Sequence, residues 1–162
     1  MVSAEVTLRP MSEDEYVAWR ADAVEGYAAE IAASTGRDVA DLRDQAASEF
    51  TQYLPDGVAT AGHWLLTVLD PAGAAVGSLW LGPDRRDPNA VFVFDIEIVA
   101  DARGRGLGRS AMLAAERFAL DLGRKAIGLN VFGPNERARR LYDSLGYQVV
   151  STSMTKHLDQ SG

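Results

Sequence analysis

Arg103-Gly104-Arg105-Gly106-Leu107-Gly108-Arg109-Ser110 is the stretch whose reading decides the fold. It sits between an apolar run that reads as a strand, Ala90 to Val99, and a helical stripe formed by Leu107, Ala111, Ala114, Phe118 and Leu122. Three glycines at alternate positions can adopt backbone angles closed to other residues, so successive N–H groups can turn inward. The helix that follows adds its positive dipole end to the same place. The stretch therefore reads as an anion-binding turn, with a phosphate as its natural guest.

Two familiar phosphate loops fail on spacing. The dinucleotide fingerprint needs glycine at its first, third and sixth positions, and counting from Gly104 the sixth is Arg109. The Walker loop needs Gly-Lys before its Ser/Thr, whereas Gly108-Arg109 precedes Ser110. What does fit is Arg-x-x-Gly-x-Gly, from Arg103 through Gly106 to Gly108.

Working outward, the strand before the loop places Phe92, Phe94, Ile96 and Ile98 at even positions. Val91, Val93, Asp95, Glu97 and Val99 fall at odd ones. A regular strand would put both carboxylates on one face, two residues and roughly 7 Å apart. After the helix, Gly123 is a stop, Ala126 to Phe132 reads as a strand, and Gly133-Pro134-Asn135 leads into a helix ending at Leu145-Gly146. Tyr147 to about Leu158 reads as a last strand.

The part of the chain before Ala90 begins with a short strand, Glu5 to Pro10. Ser12 and Glu15 then make a capping box opening a helix that carries Tyr16, Trp19, Val24, Tyr27 and Ile31. Gly36 ends it, Asp38 caps a second helix with Val39, Leu42, Ala46, Phe50 and Leu54 on one face, and Pro55-Asp56-Gly57 closes that. His63 to Leu69 and Ala75 to Leu81 flank Asp70-Pro71-Ala72-Gly73 as a hairpin. Strands joined through single helices late in the chain imply parallel pairing and the hairpin implies antiparallel pairing. The expectation is a mixed, mostly antiparallel α+β sheet with helices on both faces, in one domain spanning 1–162.

Composition narrows the function classes. A net charge of −7 repels nucleic acid and anionic membranes and suits small cationic substrates. The absence of cysteine removes disulfides, thiolate metal sites and a cysteine nucleophile, and two histidines, His63 and His157, make a multi-histidine metal site a poor expectation. No secretory leader or bilayer-spanning run is evident, so the cytoplasm is the expected location.

The segment from Asp95 to Tyr147 resembles the GCN5-related N-acetyltransferases twice over. One match is the strand Asp95-Ile96-Glu97-Ile98-Val99 running through Arg103-x-x-Gly-x-Gly108 into a helix. The other is Asn135-x-x-Ala138-x-x-x-Tyr142-x-x-x-Gly146-Tyr147. The resemblance implies that the fourth and fifth strands splay apart around the pantetheine arm of acetyl-CoA, which bonds to the strand near Ile98 and Val99. It implies that the pyrophosphate rests on the N–H groups of Arg103, Gly104, Arg105, Gly106, Leu107, Gly108, Arg109 and Ser110. The guanidinium groups of Arg103, Arg105 and Arg109 can add charge-assisted bonds. It further implies an acyl-CoA-dependent N-acyltransferase, with acetyl-CoA as co-substrate, no metal, and a primary amine of a small molecule or peptide as acceptor. The alternative class is a sensor of the same fold that binds acetyl-CoA without catalysis.

Asn135, Ala138 and Tyr142, spaced i, i+3 and i+7, share one side of a helix. Asn135 can cap that helix, contact the cofactor, or do both, and small Ala138 leaves room beside it. The resemblance makes Tyr142 the acid that protonates the departing thiolate; buried in the core, it would have no such role. Attack by an amine needs a base or a water chain, for which Asp95 and Glu97 are candidates, Glu97 first because it is nearer the strand's end. Either can instead form a structural ion pair with an arginine, and a bulge would re-aim one of them. His63 is a weaker candidate base. About a dozen residues follow Gly146 before the tail, so the family's last two strands reduce to one here. The early helices or another subunit, as in a homodimer, then complete the substrate side.

Overall fold

A computed structural model describes residues 5–159. Its elements in order are β1 (Thr7–Pro10), α1 (Glu13–Thr35), α2 (Val39–Tyr53), β2 (Trp64–Leu69), β3 (Ala75–Pro83), β4 (Ala90–Ile98), α3 (Leu107–Asp121), β5 (Ala126–Leu129) and α4 (Glu136–Ser144). The sheet order is β1-β2-β3-β4-β5, antiparallel throughout except that β5 runs parallel to β4.

The local signals act as expected. Ser12 Oγ accepts from the Glu15 amide and the Glu15 carboxylate accepts from the Ser12 amide, so the box satisfies two of the donors exposed at the start of α1. The Glu15 carboxylate also takes two bonds from Arg9 and one from Thr67 on β2, pinning α1 to the sheet. Gly36 ends α1 at φ 72°, a conformation costly to any residue with a Cβ. In the β2–β3 hairpin Asp70 Oδ1 accepts from the amides of Ala72 and Ala74, which is how the turn closes.

The sheet separates two apolar clusters. On one face, Leu66, Val68, Leu79, Leu81, Val91 and Val93 pack under α3, through Leu107, Ala111, Met112 and Ala115, and under α4. On the other, Leu65 and Trp80 pack with Tyr16, Trp19, Ala28, Leu42, Ala46 and Phe50 of α1 and α2. Each fully buried leucine, Leu42, Leu79, Leu81 or Leu107, contributes roughly 2 kcal/mol from area removed from water.

Two expectations are corrected. The first concerns β4, which does not alternate regularly: Trp80 pairs with Asp95 and Leu81 with Val93, leaving Phe94 as an extra residue in a bulge. Side chains therefore change face in mid-strand. Val91, Val93, Ile96 and Ile98 belong with the α3 cluster, and Phe94 packs with Trp80 on the α1–α2 side. The even positions thus do not share one face. The second concerns Tyr147 to Leu158, which is no strand. A strand pattern needs a neighbouring edge, and among the described residues this segment has none, so Val149, Val150, Met154 and Leu158 are 57–90% exposed. β5 is also shorter than expected, ending at Leu129.

Candidate active site

Pairing between β4 and β5 starts at Ala90–Ala126 and stops at Val93–Leu129, while β4 continues to Ile98. Beyond Val93 the two strands splay, and the second half of β4 is hydrogen-bonded to β3 on one edge only. The chain then makes a 3₁₀ turn, Ala100–Ala102, and the glycine loop before entering α3.

Gly104 and Gly106 hold φ values of 81° and 74°, as a loop that turns its amides inward requires. Gly106 is the N-cap of α3 and supplies no side-chain acceptor, so the first-turn amides of α3 remain as donors for an external anion. A Cβ built on either glycine would meet nothing within 4 Å, so the space over the loop is open. An open cradle of backbone donors, beside a strand edge free to bond a peptide-like arm, fits a diphosphate-bearing cofactor such as a coenzyme A thioester.

The three arginines of the loop are differently engaged. Arg103 Nε donates to the Ile98 carbonyl at 3.0 Å and Arg103 Nη2 stands 3.8 Å from Glu97 Oε1. Arg105 reaches Asp70 at 3.5 Å, and Arg109 donates to Ser144 Oγ on α4. Leu107 and Ser110 are buried, whereas Val99 is 46% exposed with its amide donating to the Val76 carbonyl. Asn135 caps α4 by accepting from the Ala138 amide at 3.2 Å, and Ala138 packs at the edge of the α3 cluster.

Tyr142 lies 8% exposed on α4, its ring edge-on to Tyr147 at 5.7 Å. Burial raises its hydroxyl pKa above the usual value, and the charges of Asp95 and Glu30 raise it further. Asp95 projects toward the α1–α2 side, where Trp19 Nε1 donates to its Oδ2 at 3.3 Å. Desolvation lifts the Asp95 carboxyl to about 6, with Glu97 and Glu30 adding to the rise and the Trp19 bond opposing it. Glu97 is exposed. Glu30, exposed on α1, is raised by desolvation and by Glu97. The two candidate carboxylates therefore share a neighbourhood but not an environment.

Several residues of this hollow escaped the sequence reading as site residues. Trp19, Tyr27 and Glu30 come from α1, Glu49 of α2 accepts from the Tyr27 hydroxyl at 2.8 Å, and the Phe132 ring lies tilted to that of Tyr27 at 6.4 Å. Trp19 and Tyr27 were visible only as members of a helical stripe, and no local signal links Trp19 to a carboxylate 76 positions away. His63 is held as a packing residue: its Nδ1 accepts from Trp80 Nε1, its ring lies tilted against Phe94, and burial lowers its pKa. Among the described residues no cluster of three or more His, Cys, Asp or Glu could hold a metal. A cavity of about 360 Å³ lies at the start of α4, lined by Val131, Phe132, Gly133, Glu136, Arg139 and Arg140, and none of Asp95, Glu97 and Glu30 lines it.

A pair of parallel strands whose pairing stops halfway, an uncapped glycine-loop helix and a buried tyrosine on the helix that follows the second strand define a class of acyltransferase fold. The model of the acetyltransferase (GNAT) family matches residues 26–147, and the chain belongs to that family. It is 28% identical to the N-acetyltransferase YdgE of Bacillus subtilis over 153 residues, covering 94% of this chain and 98% of the relative. The crystal structure of YycN from Bacillus subtilis superposes with a TM-score of 0.90 at 28% identity, covering 96% of this chain and 99% of that one. A mycothiol acetyltransferase from Propionibacterium freudenreichii is 37% identical over 93 residues, 56% of this chain and 29% of that protein. The protein is accordingly an N-acetyltransferase of this fold. Among the described residues no helix is long and apolar enough to cross a membrane.

Proposed function

We propose that the protein transfers an acetyl group from acetyl-CoA to the primary amine of a small cationic molecule, by direct attack of the amine on the thioester. The observation that carries this reading is the unpaired second half of β4 beside the uncapped start of α3, with Asp95 on that strand raised to about 6 and the Tyr142 hydroxyl raised as well. The thioester supplies the electrophile when bound; the chain's own groups hold it and move protons.

The amides of the loop from Gly104 into the first turn of α3 bind the diphosphate, and the freed edge of β4 near Ile98 and Val99 orients the arm. Arg103 must leave the Ile98 carbonyl for that edge to be used, and it is then free to pair with phosphate. Asp95, ionised at neutral pH, takes the proton from the incoming ammonium. Its pKa near 6 is matched to that task better than an ordinary carboxylate. Tyr142, whose raised pKa keeps it protonated, returns a proton to the departing sulfur. Glu97 and Glu30 line the lip, where their charge attracts a cationic acceptor. Trp19, Tyr27 and Phe132 supply the apolar wall.

The deciding experiment incubates the protein with acetyl-CoA and a panel of mono- and polyamines while free thiol release is followed. Turnover on a cationic amine is expected, with Tyr142→Phe lowering kcat at least about tenfold and leaving acetyl-CoA affinity unchanged. Tight coenzyme A binding with no turnover on any amine would point instead to a sensor, and no binding at all would overturn both.

A further inference from the structure

We propose that Asp70, in the turn between β2 and β3, is a positioning residue for donor binding: it holds the Arg105 guanidinium and so fixes the tip of the glycine loop with its amides turned inward. The role rests on the reading of that loop as the diphosphate site. Two observations carry it, and the first is how lightly the tip is otherwise held. Arg105 lies between Gly104 and Gly106, both in the left-handed region, and a Cβ built on either would meet nothing within 4 Å. Glycine has the widest backbone freedom of any residue, so a tip flanked by two of them has little conformational preference of its own to keep. On one side the chain is tied by Arg103, whose Nε donates to the Ile98 carbonyl, but that bond occupies the strand edge that the pantetheine arm is proposed to use. On the other it is tied by Leu107, buried in the α3 cluster. At the tip itself Arg105 reaches across to Asp70, Nη2 to Oδ2 at 3.5 Å. Entry of the donor thus removes the Arg103 tether and leaves the Arg105 one.

The second observation is that Asp70 is built as an anchor. Its side chain is 9% exposed, against 49% for Arg105. Oδ1 accepts from the amides of Ala72 and Ala74, and the Asp70 amide donates to the Ala74 carbonyl, so the turn fixes the carboxylate and Oδ2 is the oxygen that meets the guanidinium. Forming the turn needs only Oδ1, which an asparagine would supply equally well. The negative charge is the part that the turn does not use and Arg105 does. Coulomb's law alone gives this charge the opposite effect on the donor, because a carboxylate close to a diphosphate repels it and its removal would tighten binding. The two roles therefore differ in sign: with Asp70 as the anchor of the tip, neutralising it weakens binding, since the amide cradle is no longer held in shape.

The experiment compares the full chain with Asp70→Asn, Arg105→Gln and the double variant, measuring coenzyme A binding by calorimetry and the kinetic constants for acetyl-CoA. Asp70→Asn keeps the acceptor for Ala72 and Ala74, so the urea midpoint is expected to stay in place. Its Kd for coenzyme A and KM for acetyl-CoA are expected to rise about fivefold, the scale of one partly exposed ion pair, at unchanged kcat. In the Arg105→Gln background the same substitution should add nothing, because Asp70 acts through Arg105. A second measurement needs no ligand: backbone ¹⁵N order parameters at Gly104, Arg105 and Gly106 should fall from about 0.85 toward 0.6 in Asp70→Asn. Tighter or unchanged binding in Asp70→Asn, an effect that persists without Arg105, or unchanged order parameters would each overturn the proposal. Failure of the unmodified protein to bind coenzyme A would overturn the donor reading and the effect on affinity with it, and the order parameters would still decide whether Asp70 fixes the tip.

Discussion

The two sides of β4 are built on different terms. On the donor side, the loop from Arg103 to Gly108 and the first turn of α3 work mainly through backbone amides, shaped by Gly104 and Gly106. On the proposed acceptor side, the groups are side chains: Trp19 and Glu30 from α1, Glu49 from α2, Asp95 and Glu97 from β4. The contrast teaches where specificity can reside. A backbone cradle recognises a common phosphate, whereas a wall of side chains from distant parts of the chain can be varied one residue at a time without disturbing that cradle.

The sharpest way to break this comparison is Asp95→Asn, expected to lower kcat by about a hundredfold while the KM for acetyl-CoA stays put. In the unmodified protein kcat/KM should fall as pH drops through about 6, where Asp95 takes up its proton, and this limb should vanish in the variant. If Glu97→Gln instead carries the larger loss, the base lies at the strand's end. Gly106→Val tests the other side. A Cβ there has room, so the cost is the left-handed backbone itself, roughly 1–2 kcal/mol, expected as a KM for acetyl-CoA raised about tenfold at nearly constant kcat.

Smaller effects sharpen the picture. Ser12→Ala removes the side-chain cap on the first turn of α1, at a cost of about 1 kcal/mol in urea unfolding, with kinetic constants unchanged. The Glu15 carboxyl in that network is held down at about 2, chiefly by Arg9. Its stabilisation is therefore complete above the usual glutamate range and is lost as pH falls from about 4.5 toward 2. The smallest change is Trp19→Phe. Without the indole N–H bond that favours the charged form of Asp95, the acid limb should move up in pH by less than one unit. An unmoved limb would detach α1 from the chemistry.

How far the sequence spoke follows the same division. The glycine turn before α3, the helix that carries Tyr142 and the Ser12–Glu15 capping box were legible because each depends on residues a few positions apart, whose geometry the helix or turn imposes. The bulge at Phe94 was not, because it is set by how β3 pairs with β4; it changed which side chains accompany the carboxylates. The environments of Asp95 and Glu97 were equally hidden. Spacing placed them side by side, but only the packing of Trp19 distinguishes the half-buried one from the solvated one. The last strand failed for the plainest reason, since a pattern for pairing does not contain its partner.

The bond from Arg103 to the Ile98 carbonyl has one further consequence, for solubility. The freed half-edge of β4 is the kind of surface on which foreign strands nucleate, and the protein cannot cover it permanently without closing its own cleft. A guanidinium parked on the strand's last carbonyl puts charge at the point of attack and can swing away when the proper guest arrives. The empty enzyme is thereby guarded against aggregation by the same residue that the loaded one can turn toward phosphate.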